Sequence, residues 1–185
     1  MSLARPYVQG ELASNLSYWL FHFRRSTPCV ESLGRVSIFL DPTTEIETTA
    51  ALWLTPGSGP DVRPRWRRCV GVPQLLVEVT GSVRTKVFRR RLRVYEQSEV
   101  LEFLVLTGDP RDIALYTRQG RYLVQVPPAD DGVYRSQVVP GLWLDSAALF
   151  SDDLNAMVAC IDRGMATEEY AAFVARFAGA EPLPR

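Results

Sequence analysis

Glu78 is the single acid in the apolar run Leu75-Leu76-Val77-Glu78-Val79. Strand alternation aims it, with Leu76 and Thr80, at one face, and Leu75, Val77 and Val79 at the other. A carboxylate in the middle of a buried strand is costly unless a cation or a metal ion answers it. The residues that follow read as a helix over 85–97. Stepping 100° per residue gathers Val87, Phe88, Leu92, Val94 and Tyr95 on one face, with Arg91 near its centre. Arg89, Arg90 and Arg93 fall on the opposite side. If that helix covers the Glu78 face, a buried carboxylate meets an inward guanidinium, and each satisfies the other.

The neighbouring chemistry is metal-dependent phosphodiester cleavage, which needs two carboxylates to hold magnesium and a lysine to position or activate water. Here the visible cation is arginine, which stays protonated and cannot act as a base. The chain has one lysine, Lys86, and five residues from position 91 turn it about 140° off the inward face.

The elements that must hold this pair follow from periodicity and turn residues. Leu12, Leu16, Trp19, Leu20 and Phe23 mark a helix over 10–24. His22, the one histidine, lies off that stripe without an acid neighbour in sequence and reads as a surface residue. Strands are expected at 35–40 and 50–54, joined by Asp41-Pro42-Thr43-Thr44, with an irregular Pro/Gly-rich stretch over 55–72. Strand 74–80, helix 85–97 and strand 101–107 form a strand–helix–strand crossover. A hairpin over 113–126 turns at Gln119-Gly120, an apolar segment spans 133–139, and helices are expected at 146–163 and 167–177, the second capped by Thr167.

With 185 residues and 46% hydrophobic content, the chain reads as a domain over 1–150 with a C-terminal helical extension, 151–185, packed on it. Cys29, Cys69 and Cys160 are odd in number and widely spaced, against a disulfide framework or zinc knuckle. The first residues lack an apolar signal core, so a cytoplasmic location without membrane contact is the expectation. Net charge is zero, yet Arg63 to Arg93 hold ten basic residues against Glu78, leaving eleven basic residues and twenty acids elsewhere. Of these, Arg84, Lys86, Arg89, Arg90 and Arg93 are candidate contacts to DNA or other nucleic acid, a basic face suited to phosphate. Cys69, close to several arginines, is a candidate for a lowered thiol pKa, without a histidine or acid partner.

Taken together the motifs resemble the Uma-two family of the restriction-endonuclease-like PD-(D/E)xK superfamily. The family reads approximately Pro-Asp opening a strand, Pro-Asp/Glu-Leu-Val-Val-Glu-Val, a helix with lysine four residues before tyrosine, then Gly-Val-x-Glu-Tyr. This chain shows Pro73-Gln74-Leu75-Leu76-Val77-Glu78-Val79, Arg91 four before Tyr95, and Glu99-Val100-Leu101-Glu102-Phe103. Gly120-Arg121-Tyr122, Asp131-Gly132-Val133-Tyr134-Arg135-Ser136 and Pro140-Gly141-Leu142-Trp143-Leu144-Asp145 extend the likeness, which spans roughly residues 7–150. It implies an α/β fold with a restriction-endonuclease-like core, a mixed sheet flanked by helices and a C-terminal helical pair. It also implies a magnesium-dependent endonuclease, but the residues depart where chemistry is done. Thr48-Thr49 occupy the Pro-Asp position, Gln74 the second acidic position and Arg91 the lysine position; Glu78 alone carries over. Asp61, Glu45, Glu47 and Lys86 are the residues that could refill the site.

Three readings follow. One is a degenerate relative, without metal or other cofactor, in which Glu78 and Arg91 are a remnant site and the basic face binds nucleic acid or a partner without cutting. Another is an active, Mg²⁺-dependent DNA endonuclease. The last is an interaction module that forms a homodimer through its C-terminal helices or paired strand edges. Trp53, Trp66 and Trp143 read as packing residues before base-stacking ones. The Asp130-Asp131 and Asp152-Asp153 pairs read as turn and cap chemistry.

Overall fold

The computed structural model describes residues 4–54, 69–108 and 110–177, with side chains from Tyr7 onward. Asp61, Arg63, Arg65, Trp66, Arg67 and Arg68 lie outside the described residues. The chain opens with helix α1, Ala4–Ser26, followed by strands β1, Val30–Asp41, and β2, Thr44–Leu54. Both strands are longer than periodicity suggests. The turn between them is built by Asp41, whose carboxylate accepts from the Thr43 and Thr44 backbone N–H groups at 2.8 and 2.9 Å. This replaces backbone pairing with side-chain bonds, so the hairpin extends almost to its tip.

Then come β3, Cys69–Val70; β4, Leu75–Thr80; helix α2, Lys86–Gln97; β5, Glu102–Gly108; β6, Arg111–Gln119; and β7, Tyr122–Val126. These strands form one sheet in the order β3-β1-β2-β4-β5-β6-β7. β4 and β5 are parallel, as the α2 crossover requires, and β3 runs parallel to β1; the other neighbours are antiparallel. β3 corrects the expectation of an irregular stretch through 72.

Two apolar layers cover the sheet. On one side α1 buries Leu12, Leu16, Trp19, Leu20 and Phe23 against Leu75, Val77, Leu104 and Leu115. On the other, Phe88 and Tyr95 of α2 pack with Leu76, Phe103 and Val105. The alternation of β4 therefore assigns Glu78 to the α2 side.

The C-terminal part holds β8, Val133–Arg135, and β9, Trp143–Asp145, paired as a small ribbon, then α3, Ser146–Phe150; α4, Leu154–Met165; and α5, Glu168–Ala175. The single helix expected over 146–163 is two, because Asp152 takes a positive φ of 60° and Asp153 caps a new start through the Ala156 N–H at 2.9 Å. Met157, Ile161 and Phe173 join the α1-side core. Among the described residues no helix is long and apolar enough to cross a membrane.

Candidate functional site: a buried carboxylate held by arginine and tyrosine

The ladder between β2 and β4 ends at the Ala50–Val77 pair, one residue short of Glu78. Past that point two threonine side chains bridge the strands. The Thr48 hydroxyl donates to the Val77 carbonyl at 2.7 Å, and the Val79 N–H donates to the Thr49 hydroxyl at 3.0 Å. The position that the resemblance assigns to an aspartate thus carries a hydroxyl engaged with backbone.

Glu78 is 3% exposed. Arg91 donates from Nη1 to its Oε2 at 2.5 Å, and the Tyr95 hydroxyl donates to its Oε1 in a short hydrogen bond. Both carboxylate oxygens are therefore engaged by donors one helical turn apart on α2. Burial pushes the Glu78 carboxyl above its ordinary pKa, opposed by the Tyr95 hydroxyl and by Arg91. The Tyr95 hydroxyl is itself pushed far up, by burial and then by the neighbouring carboxylate, so it stays a donor. Burial works against the charge of Arg91, but the Glu78 carboxylate more than offsets this and holds the guanidinium above its ordinary value.

The helix phase differs from expectation. Val87 is 70% exposed, and Phe88 and Tyr95 form the buried centre. Arg91 lies at the flank of that face with its side chain 43% exposed, reaching Glu78 from the side with its long stem. It also lines a groove of about 280 Å³ together with Arg90, Val87 and Val94 of α2 and Thr44, Glu45, Ile46 and Glu47 of β2. Glu45 and Glu47 thus stand on the groove wall facing the arginines, and Lys86 is exposed off the inward face.

Gln74 is not brought to Glu78. It sits just before β4 begins, and its side-chain oxygen accepts from the Leu54 N–H at 2.7 Å. It fixes the far end of β2 instead of supplying the site. Arg84, Lys86, Arg89, Arg90 and Arg93 are all exposed on α2 and the turn before it.

Other singled-out residues resolve into packing. Burial raises the Cys69 thiol above its ordinary pKa, which contradicts the activated-thiol expectation. Trp53 is fully buried, and its indole N–H has no partner among the described residues. The Arg135 guanidinium lies 4.4 Å over the Trp143 ring. His22 does have an acid neighbour, supplied by the fold: Asp162 of α4 lies 3.0 Å from its Nε2. A second buried acid, Glu102, stands at the glutamate of the family's Gly-Val-x-Glu-Tyr pattern, but periodicity gives it no role. It is fully buried on the α1 side and accepts from Ser136 Oγ, the Gln137 N–H and the Thr117 hydroxyl at 2.5, 2.7 and 3.2 Å. It locks the loop after β8 to the sheet.

The chemistry that the resemblance implies calls for a divalent cation, and the residues present do not fit one. Glu78 has both oxygens engaged by donors, the Thr48 and Thr49 hydroxyls serve the strand junction, and Arg91 brings positive charge to the spot. Among the described residues no three His, Cys, Asp or Glu side chains converge.

The fold and the placement of Glu78 beside a crossover helix are those of a nuclease-like α/β scaffold. The Uma2 model, described as "putative restriction endonuclease", matches residues 1–147, and the chain belongs to that family. A solved structure of a putative nuclease of DUF820 from Anabaena variabilis ATCC 29413 shares the fold. Its TM-score is 0.54 at 9% identity, covering 78% of this chain and 80% of that one. No curated protein matches in sequence.

Proposed function

We propose that this Uma2-family chain is a non-cleaving member that binds nucleic acid through the basic face of α2. The observation that supports loss of cleavage is the double engagement of Glu78 by Arg91 and Tyr95. A carboxylate whose two oxygens are already held by a guanidinium and a phenol, with a fixed positive charge beside it, is a poor ligand for a divalent ion, and arginine cannot take the proton of an attacking water. The reading of nucleic-acid binding rests on Arg84, Lys86, Arg89, Arg90 and Arg93, five exposed cations within ten residues of chain.

The test pairs two assays. Supercoiled plasmid incubated with the protein and Mg²⁺ or Mn²⁺ is expected to stay intact, and DNA binding is expected to weaken steeply with added salt as counterions are released. Family membership favours a second reading, metal-dependent cleavage; nicking that disappears in Glu78→Gln would establish it. Absent or salt-insensitive binding would remove the nucleic-acid part of the proposal.

A further inference from the structure

At 100° per residue Lys86, Arg89, Arg90 and Arg93 form one exposed stripe along α2, and Val87 and Val94 lie beside it on the flank that lines the groove with β2. The groove differs in kind from the stripe. Its arginines, Arg90 and Arg91, come from the helix, its acids, Glu45 and Glu47, from the strand, and Val87, Val94 and Ile46 add apolar surface. Val87 is 70% exposed, so that surface is open to a ligand. Among the described residues no ion pair joins the acids of β2 to the arginines of α2, which leaves acceptors and donors on the two elements available. Arg91 is held through Nη1 by Glu78 while its side chain stays 43% exposed, so its guanidinium is a fixed plane at the groove.

Resting on the reading that α2 binds nucleic acid, we infer that this groove takes one unstacked base of a single strand, and that the base is cytosine or guanine. The acids of β2 make the groove unfavourable for phosphate, which stays on the cationic stripe outside it. A volume of about 280 Å³ is near the lower end of small-ligand sites, roughly 300 Å³, and suits one heterocycle. A duplex keeps its bases stacked and paired, so none can enter without being extruded. The ring covers Val87 and Val94, taking apolar surface out of water, and lies against the Arg91 guanidinium. Cytosine donates from its amino group to a carboxylate of β2 and accepts from arginine at N3 and O2. Guanine likewise separates a donor edge, N1 and N2, from an acceptor edge, O6 and N7. Uracil and thymine flank their one ring N–H with two carbonyl oxygens, which a carboxylate repels.

Fluorescence anisotropy with labelled oligo(dC), oligo(dU) and a duplex, all of one length, tests this. Oligo(dC) is expected to bind about tenfold or more tighter than oligo(dU), the discrimination that a charged hydrogen bond to a base edge supplies. It should also bind tighter than the duplex, whose pairing must be opened first. In the double variant Glu45→Gln, Glu47→Gln the ratio between the two single strands should fall toward one, because an amide can serve either edge. Both positions are exposed, so the fold should be kept, and the ratio cancels any general gain in attraction for phosphate. Equal affinity for oligo(dC) and oligo(dU), a ratio that survives the double variant, or a duplex bound as tightly as oligo(dC) overturns the inference and leaves phosphate contact by α2 standing. Absence of salt-sensitive binding to all the probes removes that reading and the inference together.

Discussion

Replacing Arg91 by methionine isolates what holds the Glu78 charge. Removing one partner of a buried ion pair typically costs 3–5 kcal/mol. Here the Arg91 side chain is 43% exposed and Tyr95 still donates to the other oxygen. Water can therefore screen part of the loss, and about 2–3 kcal/mol at pH 8 is the discounted expectation. The pH dependence carries the sharper signature. Burial holds the folded pKa of Glu78 above its unfolded value, so the folded chain keeps a proton that the unfolded chain has lost. That contribution is fully present below the unfolded pKa and is lost as pH rises through the folded one. Arg91→Met removes both lowering influences of Arg91 and raises the folded pKa further, extending the loss to higher pH. The gap between variant and wild type should open by at most about 1.4 kcal/mol per pH unit. At about pH 4 it should shrink to about 1 kcal/mol or less, the packing of the stem. Urea unfolding followed by tryptophan fluorescence at both pH values measures it. A difference of a few tenths of a kcal/mol at pH 8, or the same cost at both pH values, would show that the two groups do not neutralise each other.

Tyr95→Phe keeps the ring packed edge-on to Phe103, 4.9 Å between centroids, and deletes one donor to Glu78; about 1–2 kcal/mol should be lost in the same unfolding assay. Glu102→Ala strands the Ser136 hydroxyl and the Gln137 N–H and opens a cavity in the α1-side core. Chemical denaturation should show a cost of about 3 kcal/mol or more. The triple variant Arg89→Ala, Arg90→Ala, Arg93→Ala should leave the melting temperature within a degree or two, as expected for exposed positions. In fluorescence anisotropy it should flatten the dependence of DNA affinity on salt by roughly one unit of log–log slope for each phosphate that is no longer neutralised.

The meeting of Glu78 and Arg91 was legible in the chain because each is costly alone on an apolar face, and strand and helix periodicities aimed them together. Tyr95 was harder to see: its ring belongs to the core and its hydroxyl to the carboxylate, and spacing reports only the first. The helix phase misled by counting Val87 as inward, when two large aromatics set the buried centre. Gln74 illustrates a different gap, since spacing cannot show that its side chain is engaged by the Leu54 N–H at the far end of β2. Glu102 matches the family pattern, but its structural role is not legible locally because its donors come from segments 15 and 34 residues away. The break between α3 and α4 was hidden by continuous helical periodicity, which the Asp153 cap overrides. The crossover, by contrast, followed from an alternating strand, an amphipathic helix and a second apolar strand in succession.

The direct test of how the interior anion is neutralised is calorimetric titration of the wild-type protein with Mn²⁺, with Glu78→Gln as reference. If the guanidinium and the phenol hold Glu78, neither protein shows saturable heat. Stoichiometric Mn²⁺ binding by the wild type that vanishes in Glu78→Gln would contradict this.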